Sequence, residues 1–108
     1  MIENWNADRF KSEVYQKGSR AAVEFYSDTC PACRGFGIVL DTVSEKYAGK
    51  MLFGKVNVVE EEALAEKYAI RSVPTLMVFV NGRCIAEQVG SVGCGELSSI
   101  IDRGIEKA

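Results

Sequence analysis

Apolar and polar positions change period several times along this chain, and each change predicts an element. Asn6 can cap a helix over residues 7–17, with Phe10 and Val14 on one face and "KGSR" closing it. "AAVEFYS" (21–27) is a short run of strand formers with a single acid inside it. A long helix follows from Pro31 to Ala48, its apolar stripe formed by Phe36, Val39, Leu40, Val43 and Tyr47. Gly35 and Gly37 interrupt that helix in its second turn, each about 1 kcal/mol less favourable than alanine. "MLFGKVNVV" (51–59) predicts a second buried strand, and "EEEALAEKYA" (60–69) a helix with its acids at the favourable N-terminal end. "TLMVFV" (75–80) and "RCIAEQV" (83–89) flank Asn81-Gly82, a strong hairpin signal. A last helix over 95–107 turns Leu97, Ile100, Ile101 and Ile105 inward, and residues 2–5 can add a short edge strand. A strand–helix–strand crossover feeding a terminal hairpin implies a mixed sheet with helices on both faces.

Composition narrows the possibilities. At 108 residues and 47% hydrophobic, the chain is expected to form one domain (1–108) with a core that needs no disulfide staples. A net charge of −2 argues against nucleic acid as a partner. No apolar run approaches the roughly 20 residues of a membrane span. "MIENWNADRF" lacks the basic head and apolar run of a secretion signal, so the expected location is cytoplasmic. There are four cysteines and no histidine, which removes Cys-His nucleophile schemes. Cys84 and Cys94 are too far apart in sequence to form a zinc knuckle with the other pair. No metal and no bound cofactor is expected.

The informative stretch is "SDTCPACRGFG" (27–37), where a buried strand turns into a helix. With Cys30 as the N-cap, Pro31 falls at the first helical position, where its missing N–H is not needed. The amides of Ala32 and Cys33 would then point at the Cys30 sulfur, and they and the helix dipole favour thiolate over thiol. Cys30 is thus the expected attacking sulfur and Cys33 the more buried, resolving one. Two further features accompany the pair. Glu24 interrupts an apolar strand just before it; burial should raise its pKa and let it exchange protons with the resolving thiol, with Lys55 as a charge partner on the neighbouring strand. Pro74, in "SVPTLMV", directly precedes a strand; a cis Val73–Pro74 bond is open on these grounds, at a base rate of about 5–6%.

"VEFY", "CPAC", "FGKVNV", "YAIRSVPTLMVFVNG" and "VGSV" together resemble the thioredoxin family over nearly the whole chain. The resemblance implies the thioredoxin fold, an α/β architecture with a central mixed sheet of four to five strands flanked by four helices. It implies a redox-active Cys30–Cys33 disulfide, with Glu24 as the buried acid beneath it and Lys55 as the lysine near that acid. Pro74 matches the family's cis-proline facing the cysteines, and Val73 supplies backbone bonds to a bound peptide. Thr29, Pro31, Ala32, Gly90 and Ser91 complete the substrate surface. The implied activity is reduction of protein disulfides, with re-reduction by a flavoenzyme of the thioredoxin-reductase type, in a monomer.

Several positions depart from the family pattern. The usual Trp-Cys-Gly-Pro-Cys is here Thr29-Cys30-Pro31-Ala32-Cys33, with proline in the first intervening place, as in glutaredoxins and periplasmic disulfide oxidants. Glu24 replaces the usual aspartate, and Ile38 stands where a proline normally kinks the long helix. Intervening residues set how strongly the thiolate is stabilised, so the expected potential is somewhat more oxidising than an ordinary thioredoxin's, about −260 to −220 mV. The rival readings are an oxidase or isomerase of higher potential, and a non-catalytic binding module using the groove around Val73, Pro74 and Ser91. Cys84 is expected to be a half-buried, inert filler. Cys94, between two glycines near the start of the last helix, is expected to be exposed.

Overall fold

The computed structural model describes residues 2–108. Five strands, β1 (Glu3–Asn4), β2 (Arg20–Tyr26), β3 (Leu52–Asn57), β4 (Thr75–Val80) and β5 (Arg83–Val89), form one sheet in the order β1-β3-β2-β4-β5. β1, β3 and β2 run parallel, while β4 is antiparallel to β2 and β5 to β4. Four helices, α1 (Ala7–Val14), α2 (Pro31–Lys46), α3 (Glu62–Lys67) and α4 (Cys94–Lys107), cover it. This is the mixed sheet with four helices that the hydrophobic pattern and the family resemblance imply.

The two faces bury separate cores. Phe10 and Val14 from α1 and Leu64 from α3 pack with Trp5, Val23, Phe25 and Phe79 on one side. Phe36, Leu40 and Val43 from α2 and Leu97 and Ile101 from α4 pack with Ala22, Leu76 and Val78 on the other. Side chains alternate along a strand, so Ala21, Val23 and Phe25 of β2 face the first core while Ala22 faces the second. Glu24 falls on the second face, beneath α2. Ile100 and Ile105 are only half-buried; Gly104 instead meets the sheet, where an added Cβ would lie 3.1 Å from Ile85 and 3.2 Å from Ala86.

Element ends shift for local reasons. α1 stops at Val14, short of the predicted residue 17, and Gly18 turns the chain at φ 84°. β3 stops at Asn57 because the Asn57 side-chain oxygen accepts from the amides of Val59 (2.9 Å) and Glu60 (3.2 Å), a local bond that competes with the sheet ladder. That turn also consumes Glu60 and Glu61, so α3 begins at Glu62. The hairpin matches its prediction residue for residue, with Asn81 at φ 54° and Gly82 at φ 80°, the two positive angles of a type I′ turn.

Gly54 has a packing reason. A Cβ there would fall inside the Trp5 indole, which is 2% exposed. Gly54→Ala is therefore expected to destabilise the fold by about 3 kcal/mol through overpacking. Chemical denaturation measures this, and an unchanged midpoint would show that Trp5 can move aside at little cost.

Candidate active site

α2 starts at the cysteine pair as the sequence predicts. Cys30 is its N-cap, with an extended backbone (φ −106°, ψ 103°), and Pro31 opens the helix. The Cys30 sulfur accepts the Cys33 amide N–H at 3.1 Å. Only one of the two expected amides makes this bond; no such contact reaches the sulfur from Ala32 among the described residues. The two sulfurs are paired as a disulfide, with Cα atoms 5.2 Å apart. Cys33 is 4% exposed, while Cys30 is half-buried and flanked by exposed Thr29, Pro31 and Ala32.

The turn before β4 faces Cys30. The Val73–Pro74 peptide is cis, and the Val73 carbonyl oxygen lies 3.7 Å from the Cys30 sulfur. Thr75, itself buried, donates its hydroxyl to the Ser72 carbonyl at 2.8 Å and secures the turn. The Pro74 carbonyl accepts the Gly90 amide at 2.8 Å, which brings the Gly90 loop beside Pro74; Gly90 takes φ 89°, and Ser91 is exposed next to it. The strands thus gather Cys30, Val73, Pro74 and Gly90 from three separate parts of the chain.

Glu24 lies on the other side of Cys33. It is 2% exposed, and its Oε2 has no hydrogen-bond partner. Burial pushes its pKa up to about 7, the Lys55 charge opposing and the Asp41 charge adding to the effect. Lys55 is the register partner of Glu24 across β2 and β3. It is the charge partner expected on the neighbouring strand, without a direct contact: its ammonium sits 5.1 Å from the centre of the Tyr26 ring, and no ion pair joins it to Glu24. Lys55 therefore acts on Glu24 through space, not through a bond.

Glu24, Lys55 and Cys33 share one cleft of about 330 Å³, also lined by Ile2, Tyr26, Asp28, Gly37, Ile38 and Asp41. Reading the residues alone missed Asn57 and Asp41. Asn57, 3% exposed, donates to Asp28 at 3.3 Å and ties the loop before the cysteines to the end of β3. Its signal is a polar residue closing a buried strand. The signal for Asp41 is its spacing of eight from Cys33, two turns along one helix face. Gly35 and Gly37 have nothing within 4 Å of where a Cβ would sit, so their small size serves no contact within the chain.

The other cysteines stand apart from this site. Cys84 departs from its expected half-burial: a bulge pairs Val78 with Ala86 and Phe79 with Cys84, leaving Ile85 as the extra residue, and Cys84 is exposed. Partial burial of its sulfur still raises the thiol pKa, and the sulfur lies 3.4 Å from the Ala86 carbonyl. Cys94 is exposed as the first residue of α4.

Comparison with known proteins agrees with the geometry. The thioredoxin family model matches residues 1–103. Thioredoxin C-2 of Corynebacterium nephridii is 35% identical over 96% of both chains. Thioredoxin 1 of a Nostoc species is 36% identical, covering 87% of this chain and 88% of its own. The thioredoxin of Pseudomonas aeruginosa is 31% identical over 96% of both. With a paired Cys30–Cys33 disulfide at a helix start and homology along its length, the chain belongs to the thioredoxin family, as a thiol–disulfide oxidoreductase that reduces protein disulfides.

Proposed function

We propose that Cys30 is the nucleophile, Cys33 the resolving thiol and Glu24 the proton carrier of this reaction. The observation that carries the reading is the Cys30 sulfur at the N-cap of α2, accepting the Cys33 amide. In the reduced protein that donor and the helix dipole stabilise a thiolate on Cys30. The thiolate attacks a substrate disulfide; a Cys30–substrate bond forms, and the first substrate thiolate leaves and takes a proton from solvent. Glu24 then accepts the Cys33 proton. The Cys33 thiolate attacks Cys30, the intramolecular disulfide forms and the second substrate thiolate leaves. Two electrons have passed from the protein to the substrate, and a reductase must return them; a flavoenzyme of the thioredoxin-reductase type fits.

The groove formed by Thr29, Pro31, Ala32, Val73, Pro74, Gly90 and Ser91 is the proposed substrate surface. The Val73 backbone is suited to bond an extended peptide beside Cys30. Lys55 tunes the charge that Glu24 feels. No helix of the described residues is long and apolar enough to cross a membrane, and we place the protein in the cytoplasm as a monomer.

Direction of electron flow follows from the potential. Pro31 between the cysteines and the lack of histidine near them point to about −260 to −220 mV, close to the reducing end of a family range of about −270 to −120 mV. Equilibration with glutathione redox buffers, followed by thiol alkylation and mass spectrometry, measures it. A value near −120 mV would make the protein an oxidant and sink the reductant reading.

A further inference from the structure

The cleft beside Cys33 has a feature that the cysteine chemistry leaves unused. Cys33, Gly37 and Asp41 stand on one face of α2 at successive turns, spanning about 12 Å along the helix. The middle position is glycine, with open space where a side chain would project. Cys33, Gly37 and Asp41 all line the cleft, together with Glu24, whose Oε2 is buried and without a hydrogen-bond partner. At its far end the Asp41 carboxylate accepts the Ile2 amide at 2.9 Å, and Ile2 lines the cleft and packs against the second core.

A cleft of about 330 Å³ has room for several waters, each needing polar partners. Those partners are Lys55 from β3, Tyr26 from β2, Ser27 and Asp28 from the following loop, and Arg34 and Asp41 from α2. From β4, Leu76 faces Glu24 and is apolar. Asp41 is the acid among them that acts on Glu24, opposing Lys55.

We propose that Asp41 is a positioning residue for the reaction: it ties the N-terminal segment along the cleft and sets the charge that Glu24 faces across it, so that the Cys33 proton passes to Glu24 and out to solvent by this route. The proposal rests on the reading of Glu24 as proton carrier. The Asp41 charge makes Glu24 hold its proton more tightly, which suits Glu24 to alternate between acid and base near neutral pH. Gly37 keeps the route open, which gives this glycine a purpose that packing does not.

Three variants test it. Asp41→Asn keeps an oxygen for the Ile2 amide but removes the charge; Asp41→Ala removes both; Glu24→Gln removes the carrier. Reduced protein mixed with an aromatic disulfide releases two coloured thiolates in succession, and the second phase reports resolution by Cys33. Carbon NMR of labelled glutamate follows Glu24 directly. The expected result for Asp41→Asn is a downward shift of both the Glu24 midpoint and the pH profile of the second phase, by about half a pH unit or more. Asp41→Ala should show at least the same shift, and Glu24→Gln should flatten the profile. If Asp41→Asn behaves as wild type while Glu24→Gln flattens the profile, Asp41 has no such role and the carrier reading survives. If Glu24→Gln leaves the second phase and its profile unchanged, the carrier reading falls and takes the Asp41 proposal with it.

Discussion

Cys33→Ala is expected to arrest the protein as a covalent adduct with its substrate, and Cys30→Ala to lower disulfide reduction by roughly 10³-fold or more, about 4 kcal/mol of barrier. The two cysteines differ in what surrounds them. Cys30 is half-buried, takes the Cys33 amide at 3.1 Å and faces the open groove with Val73 3.7 Å away. Cys33 lies inside the helix at 4% exposure, where an incoming protein cannot reach its sulfur. Removing Cys33 leaves the first attack intact and deletes the group that ends it. Removing Cys30 deletes the first attack. Mass spectrometry of Cys33→Ala incubated with a protein disulfide such as insulin should find adducts on Cys30 that reductant releases. Adducts on Cys33 in a Cys30→Ala protein, or reductase activity retained there, would reverse the assignment.

Glu24→Gln is expected to stabilise the fold at pH 8 by about 3 kcal/mol and to leave it nearly unchanged at pH 4. The sign follows from linkage. The carboxyl has its pKa raised from 4.5 to about 7 in the folded protein, so the folded state binds the proton more tightly than the unfolded chain. That contribution to stability is fully present below about 4.5 and is lost as the pH rises through about 7. Each pH unit between the two values is about 1.4 kcal/mol. Glutamine resembles the protonated acid and has no proton to lose, so the wild-type and variant curves should converge in acid and separate in base. Urea denaturation at pH 4, 6 and 8 measures the difference. Parallel curves would mean that Glu24 ionises freely in the fold. The same change should slow resolution by Cys33 about 100-fold, the lower end of the usual range for a positioned acid or base. Greater stability with slower turnover would mark Glu24 as a residue kept for chemistry at the expense of the fold.

Much of this was legible from local pattern. Asn81-Gly82 between two alternating apolar runs specified the hairpin, because few residues tolerate two successive positive φ angles. Pro31 after Cys30 marked the start of α2, with Cys30 as its N-cap. Glu24 stood out because a lone acid in an apolar strand is either at an edge or buried for a purpose. Less legible was everything that depends on where a side chain turns. Lys55 is opposite Glu24 in register, yet its ammonium lies over Tyr26. Cys84 is exposed because one extra residue, Ile85, bulges out of β5, which no periodicity announces. Asp41 draws attention only once the fold places it on the cleft that Glu24 lines. Asn57 shortened β3 by a side-chain bond whose partners lie only two and three residues onward, which apolar patterning does not register.

The sheet also separates the chain's single tryptophan from its disulfide. Trp5 is sealed over Gly54 in the core under α1 and α3, while α2 and Cys33 belong to the opposite layer. Tryptophan emission in this protein is thus expected to report whether the chain is folded rather than whether the cysteines are oxidised. Folding and electron transfer can be followed independently in one sample, the first by emission and the second by thiol labelling.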